Sequence, residues 1–244
     1  MSTSSNDKKE EEQEYYQLVH VPVAGIQVVL EANLSIPKNA QGVVIFAHGS
    51  GSGRHSPRNR YVAQVLQNEG IATLLLDLLT EEEEEIDLQT RHLRFDIGLL
   101  AQRLVGATDW LKQNSGSRNL KVGYFGASTG AAAALVAAAE RPSTINAIVS
   151  RGGRPDLAGT DNLQKVQAST LLIVGGNDVP VIAMNKQALD KMHMLEDSNN
   201  NDSEKNKNKK KLVIVPGATH LFEEPGKLEE VARLAAEWFS NYLR

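Results

Sequence analysis

The stretch VGYFGASTGAAAAL, residues 122–135, decides the fold that the sequence predicts. It joins a short apolar run to an alanine-rich helix through the pattern G-x-S-x-G, which ends at Gly130. In a nucleophile elbow this pattern forms a sharp turn between a strand and a helix, and the turn exposes the serine. Small residues on both sides permit the turn, and the helix N-terminus places the positive end of its dipole beneath the serine. Ser128 is therefore the predicted nucleophile, with a simple helix cap as the alternative interpretation.

Strands and helices alternate along the rest of the chain. Helical patterns cover residues 93–112 and 227–243, and residues 17–21 and 27–34 predict an antiparallel hairpin that turns at Ala24 and Gly25. The pattern predicts an α/β fold, with a mostly parallel sheet and helices on both faces. A continuous apolar run, which is typical of a strand buried on both faces, occupies residues 43–47, and further strands are predicted at residues 72–77, 120–125, 145–150, 170–174 and 212–215.

The composition excludes several classes of function. The chain has 244 residues, an ordinary length for one α/β domain, and its net charge of -4 gives no basic field for nucleic acid. It has no cysteine, which excludes a disulfide framework, a cysteine-ligated metal and a thiolate nucleophile. No signal peptide or membrane-spanning stretch is visible. We therefore expect a cytoplasmic protein that acts on a small molecule, with no nucleic acid or membrane partner.

Three polar segments stand outside the alternating pattern. Residues 1–16 are predicted to be a disordered tail, and residues 17–244 a single α/β domain. Residues 197–211 resemble a low-complexity insertion in a surface loop, with binding of an acidic partner as the alternative. The five glutamates at 81–85 are predicted to form a solvated loop, because adjacent carboxylates repel one another and cannot all face one cation.

A serine hydroxyl needs a base to remove its proton, and the candidate base is His220. It follows the last predicted strand on a short loop, at the edge of the sheet where the elbow lies. Asp178 follows the strand at 170–174 and is predicted to fix the imidazole tautomer and stabilise its charged form. The chain order Ser, Asp, His is the one expected with this elbow. Asp156 is the rival acid, although capping of its own loop explains it more simply.

An oxyanion must be met by backbone N–H groups that are already in place. Thr129, directly after the nucleophile, and Ser50, in the glycine-rich loop at 49–53, are predicted to supply them. The loop lacks the G-K-[ST] ending and the G-x-G-x-x-G spacing of nucleotide-binding loops, so a phosphate cradle is the weaker interpretation. His48, at the start of the loop, is predicted to shape it. No metal site is expected.

Arginines follow two of the predicted strands at the carboxyl edge of the sheet, where ligands bind in open α/β folds. Arginine holds a carboxylate or phosphate with two parallel hydrogen bonds. We expect an anionic substrate bound by Arg54, Arg58 and Arg151, with Arg151 the most constrained because it comes directly off a strand. The alternative is that these side chains, with the neighbouring Arg60 and Arg154, are solvated or paired with carboxylates.

Five segments resemble the dienelactone hydrolase-related branch of the α/β-hydrolase superfamily: HGSGSGRHSPRNR, GYFGASTGAAAAL, SRGGRPDLAG, LLIVGGNDVPV and VPGATHLFEEPG. Domains of this branch are also known joined to phosphoribosyltransferases. The resemblance covers most of the chain from about Leu18, except the insertion, and implies an eight-stranded α/β-hydrolase fold, a Ser-His-Asp triad and no cofactor. The namesake enzymes have a cysteine where this chain has Ser128, so dienelactone does not carry over as substrate. The chain lacks an acidic segment followed by Thr-Thr-Gly, so no transferase activity on ribose phosphates is expected.

The sequence thus predicts a serine hydrolase that cleaves an ester, lactone or thioester of a small substrate through an acyl-enzyme. A non-catalytic binding module with the same fold is one alternative, and the complete set of triad residues argues against it. An acyltransferase with the same triad is the other, and it stays open because it differs only in what removes the acyl group.

Overall fold

The computed structural model describes residues 17–23, 28–193 and 209–244. The predicted tail at 1–16, the predicted turn at Ala24 and Gly25, and most of the predicted insertion lie outside these residues. Within the described residues, no helix combines the length and the apolar character that a membrane crossing requires.

Eight strands of the described residues form one sheet, in the spatial order β1-β2-β4-β3-β5-β6-β7-β8. Strand β2 pairs antiparallel with both β1 and β4, and all other neighbours are parallel. The predicted eight-stranded α/β-hydrolase fold is confirmed. The strands are β1 Gln17–Val23, β2 Val28–Ser35, β3 Gly42–Ala47, β4 Ala72–Leu76, β5 Lys121–Ala127, β6 Ile145–Arg151, β7 Ser169–Gly175 and β8 Lys210–Val215.

Helices cover both faces of this sheet, which explains why its central strands are continuous apolar runs. In β3, Ile45 belongs to the apolar cluster on the face of α3 and α4, whereas Val44 and Phe46 belong to the cluster on the face of α1 and α7. Because side chains alternate along a strand, both sets must be apolar. The helices are α1 Pro57–Asn68, α2 Glu81–Thr90, α3 Ile97–Gln113, α4 Thr129–Glu140, α5 Thr160–Lys165, α6 Val179–His193 and α7 Lys227–Leu243, with short 3-10 turns at Leu93–Phe95 and Pro155–Ala158.

Helix α7 lies directly on the backbone of two central strands. A Cβ atom added to Gly42 of β3 would stand 2.5 Å from the Cβ of Leu243, and one added to Gly123 of β5 would stand 2.9 Å from Phe239. No side chain fits at either position. The two glycines therefore let the closing helix pack tightly against the centre of the sheet.

Residues 81–85 are mostly exposed, as predicted, but the prediction of a loop is wrong, because these glutamates form the first turns of α2. The Thr80 hydroxyl accepts the Glu83 N–H at 3.2 Å, and the Glu83 carboxylate accepts the Thr80 N–H at 2.9 Å, which is a complete capping box. Acidic residues in a first turn also suit the positive end of the helix dipole. Glu83 further pairs with buried Arg103 of α3 at 2.5 Å, which ties α2 to the body of the molecule.

Candidate active site

Ser128 occupies a strained turn between β5 and α4. Its φ of 50° and ψ of -119° lie outside the regions that non-glycine residues ordinarily adopt. The surrounding contacts hold this conformation. A Cβ on Gly126 would stand 2.4 Å from the Cα of Ala131, and one on Gly130 would stand 2.2 Å from the carbonyl oxygen of Ala47. Both glycines are required, and the turn has the geometry of a nucleophile elbow.

His220 and Asp178 meet at the same edge of the sheet. Asp178 follows β7 and His220 follows β8, and their Nδ1 and Oδ2 atoms are 2.6 Å apart. The Asp178 side chain is 13% exposed and that of His220 is 38% exposed. Because Asp178 accepts the proton on Nδ1, the tautomer leaves Nε2 free to act as a base.

The end of β6 connects the elbow to this pair. The carbonyl oxygen of Arg151 accepts the Ser128 N–H at 3.2 Å. The next residue, Gly152, has a positive φ of 52°, and a Cβ there would stand 3.3 Å from the Cε1 of His220. Ser128 and His220 thus contact adjacent residues of one strand end. No hydrogen bond joins their side chains within residues 17–23, 28–193 and 209–244, and such bonds often tighten only when substrate is bound.

Asp156, the rival acid, is engaged elsewhere. Arg154 donates two hydrogen bonds to its carboxylate, at 2.9 and 2.8 Å. This bidentate pairing holds the pKa of Asp156 below its usual range. Of the two aspartates that the sequence offered, the structure brings only Asp178 to His220.

The two predicted oxyanion residues lie against each other. The Ser50 N–H donates to the Thr129 Oγ1 at 3.1 Å. Thr129 begins α4, so its own N–H belongs to the first turn, which has no partner within the helix. Gly49 packs so closely on the elbow that a Cβ there would stand 3.2 Å from the Cβ of Ser128.

His48 anchors the start of the glycine-rich loop. Its Nε2 accepts the N–H of Leu78 at 3.0 Å, and its Nδ1 lies 3.0 Å from the carbonyl oxygen of Gly49. A carbonyl only accepts, so Nδ1 carries the proton and the ring is neutral. Burial lowers the pKa of His48, in keeping with this tautomer. The predicted loop-shaping role of His48 is confirmed.

The three predicted anion-binding arginines differ in whether a carboxylate already pairs with their charge. Arg54 pairs with Asp77 and, at 2.5 Å, with Glu31, so its charge is already balanced. Arg58 makes one exposed pair with Glu223 at 2.9 Å.

Arg151 is 7% exposed. Its Nε and Nη1 are buried and have no hydrogen-bond partner in the described part of the chain. Burial, and then the nearby charge of Arg58, lower the pKa of Arg151 to about 10. Arg151 is therefore the predicted anion ligand whose charge is left unbalanced.

A cleft of about 960 Å³, which the sequence did not reveal, opens along the oxyanion loop. Ser50 and Thr129 form part of its wall, and the first turns of α2 form another part. Seven carboxylates line it against two guanidinium groups, so it does not suit an anionic group. Burial and the charge of Asp77 raise the pKa of Glu84, which faces this cleft. The capping pattern from Thr80 to Glu83 was the sequence signal that would have placed a helix here.

The acidic side chains do not form a recognisable metal site. Among the residues that the structure describes, no group of three or more His, Asp or Glu side chains is arranged to hold a metal ion.

Known proteins match this chain over most of its length. The model of the dienelactone hydrolase family matches residues 30–243. Relatives from two strains of Mycobacterium tuberculosis, whose names describe a phosphoribosyl transferase, are each 53% identical over 223 residues. The match covers 91% of this chain and 44% of each relative, so this chain spans less than half of their length.

Solved structures agree with the fold. A crystal structure of dienelactone hydrolase from Anabaena variabilis is 63% identical, with a TM-score of 0.85, and the match covers 94% of this chain and 98% of that one. Est1E from Butyrivibrio proteoclasticus is 18% identical, with a TM-score of 0.69 over 92% of this chain and 98% of that chain, and it shares the fold.

Proposed function

Since the chain belongs to the dienelactone hydrolase family, we propose that it hydrolyses carboxylic esters through an acyl-enzyme on Ser128, with His220 as general base and Asp178 as its partner. The 2.6 Å contact between Asp178 and His220 carries this proposal, because it orients an imidazole at the edge of the sheet where the strained elbow carries Ser128. A hydroxyl, a base and an orienting acid are the components of nucleophilic acyl transfer.

The proposed reaction has two halves. His220 Nε2 takes the Ser128 proton as Oγ attacks the ester carbonyl, and the N–H groups of Thr129 and Ser50 bind the oxyanion. His220 then gives that proton to the leaving alcohol, and an ester of Ser128 remains. In the second half His220 takes a proton from a water molecule as its oxygen attacks the acyl carbon, the bond from that carbon to Ser128 Oγ breaks to release the acid, and the proton returns from His220 to Oγ. Asp178 stabilises the imidazolium in both halves.

The experiment that tests this function is covalent labelling. A fluorophosphonate probe should label the wild-type protein at Ser128 and should not label Ser128→Ala. That variant should lose ester hydrolysis by a factor on the order of a million while keeping its melting temperature. Equal labelling of both proteins, or turnover that persists in the variant, would rule out Ser128 as the nucleophile.

We further propose that the substrate carries a negative charge that faces Arg151. A buried guanidinium without a counter-ion is costly unless a ligand supplies the charge. Arg151 fits this description, and Arg58 adds a second positive charge nearby. The acid-lined cleft borders the oxyanion loop and the residues that follow β4, whereas Arg151 ends β6, and strands β3 and β5 lie between β4 and β6. We therefore propose that the charged end of the substrate faces β6 and that its remaining part faces the cleft.

A further inference from the structure

The peptide group that joins Gly49 to Ser50 is held at both ends. The Gly49 carbonyl oxygen accepts hydrogen bonds from His48 Nδ1 at 3.0 Å and from the Ser52 N–H at 3.2 Å. The Ser50 N–H donates to the Thr129 hydroxyl at 3.1 Å. A peptide next to glycine has more rotational freedom than most, so these bonds determine which way the Ser50 N–H faces.

The carbonyl end of this peptide is anchored independently of the elbow. His48 Nε2 accepts the N–H of Leu78, two residues beyond the end of β4, and this bond requires the tautomer that donates from Nδ1. The Gly49 carbonyl is thereby tied to the segment that follows a neighbouring strand of the sheet. Only the N–H end of the peptide depends on a side chain of the elbow.

That side chain is Thr129, which is 3% exposed. The backbones of the loop and the elbow are already in contact at Gly49 and Gly130, because glycine has no side chain to keep them apart. A closer approach would cause a clash, and a separation would leave a void. The Thr129 hydroxyl is therefore held within hydrogen-bonding distance of the Ser50 N–H in the free protein. It also lines the same cleft wall as Ser50.

We propose that the Thr129 hydroxyl is a positioning group for the oxyanion site. This inference rests on the proposed function. In the free enzyme the hydroxyl satisfies the Ser50 N–H and holds it towards the place where the oxyanion forms. In the tetrahedral intermediate the oxyanion takes this N–H from the hydroxyl, without any covalent change to Thr129. A donor oriented in advance stabilises the transition state more than the ground state.

The test compares two substitutions of one side chain, with p-nitrophenyl acetate as substrate. Thr129→Val keeps the shape but removes the acceptor, and should lower kcat about 10- to 100-fold with less than about a threefold change in KM. Thr129→Ser keeps the hydroxyl and should restore most of the lost kcat. The affinity for trifluoroacetophenone, which forms a hemiketal oxyanion with a nucleophilic serine, should fall in Thr129→Val by the same factor as kcat/KM.

Thr108→Val is the matched control. It removes another buried threonine hydroxyl, which bonds to Tyr124 at 2.6 Å in the core, and should leave kcat and inhibitor affinity unchanged. Wild-type kcat and inhibitor affinity in Thr129→Val would overturn the inference, and so would equal losses in the valine and serine variants. Failure of the fluorophosphonate to label Ser128 in the wild type would instead overturn the proposed function.

Discussion

Asp178 and Asp156 both follow strands at the carboxyl edge of the sheet, and only their partners distinguish them. Asp178→Asn should keep the fold and lower kcat by about four orders of magnitude, because the amide favours the wrong imidazole tautomer. Asp156→Asn, which loses only its pair with Arg154, is the matched control and should change kcat little. Measured rates in the reverse order would refute the assignment of the acid.

Substitution of Arg151 should increase stability and weaken the binding of a charged substrate. Arg151→Met removes a buried, unpaired charge and should raise the free energy of unfolding by about 1 kcal/mol or more. The same variant should raise KM about tenfold or more for a carboxylate-bearing ester, but not for its neutral isostere. Arg233→Met, which breaks an exposed pair with Glu237 on α7, should change neither quantity. An equal change of KM for both esters would refute the anion site.

The site could be predicted only in part, because some of the side chains that contact one another in it lie far apart in the sequence. Ser128, Asp178 and His220 could be assigned because each follows a strand in a recognisable loop. The balanced charge of Arg54 could not be predicted from the sequence. Its partner Glu31 lies on β2, and its partner Asp77 directly follows β4. Those strands are neighbours in the sheet but not in the sequence, so only the topology brings the three side chains together.

At the scale of elements, the buried strands were predicted and α2 was missed, although the capping pattern from Thr80 to Glu83 signals its start. A continuous apolar run indicates directly that both faces of a strand are buried, whereas a run of glutamates by itself indicates only exposure to solvent. Helix α2 has a single buried residue, Asp87, which pairs with Arg94. Its stability therefore depends on end contacts rather than on an apolar face.

This dependence predicts local instability when the cap is removed. Thr80→Ala should weaken α2 by about 1 kcal/mol, and amide hydrogen exchange in that helix should speed up about fivefold. Ser56→Ala removes the cap of α1, which is held by packing against α7, and should not make α1 exchange selectively. Unchanged exchange in α2 of Thr80→Ala would show that other contacts hold the helix.

For the molecule as a whole, buried His48 predicts a loss of stability in mild acid. Its pKa is lowered in the folded state, so between that value and about 6.5 the unfolded chain binds more protons. The stability that neutral His48 contributes is complete above pH 6.5 and is lost as pH falls towards the folded pKa. The slope is at most about 1.4 kcal/mol per pH unit.

Urea denaturation at pH 7.5 and 5.5 measures this effect. The wild type should lose more stability across the interval than His48→Gln, which has no titrating ring at this position. Equal losses in the two proteins would show that His48 does not titrate on unfolding.

The contact of α7 with the glycines of β3 and β5 has a consequence for synthesis on the ribosome. Leu243 and Phe239 complete the apolar cluster that covers one face of the central strands. While the middle of the chain is already outside the exit tunnel, α1 is the one of the two helices on this face, α1 and α7, that can cover it, and the rest stays uncovered until α7 emerges. We expect the nascent chain to present an open apolar surface during this interval, and therefore to need chaperones more than a chain that folds piece by piece as it is translated.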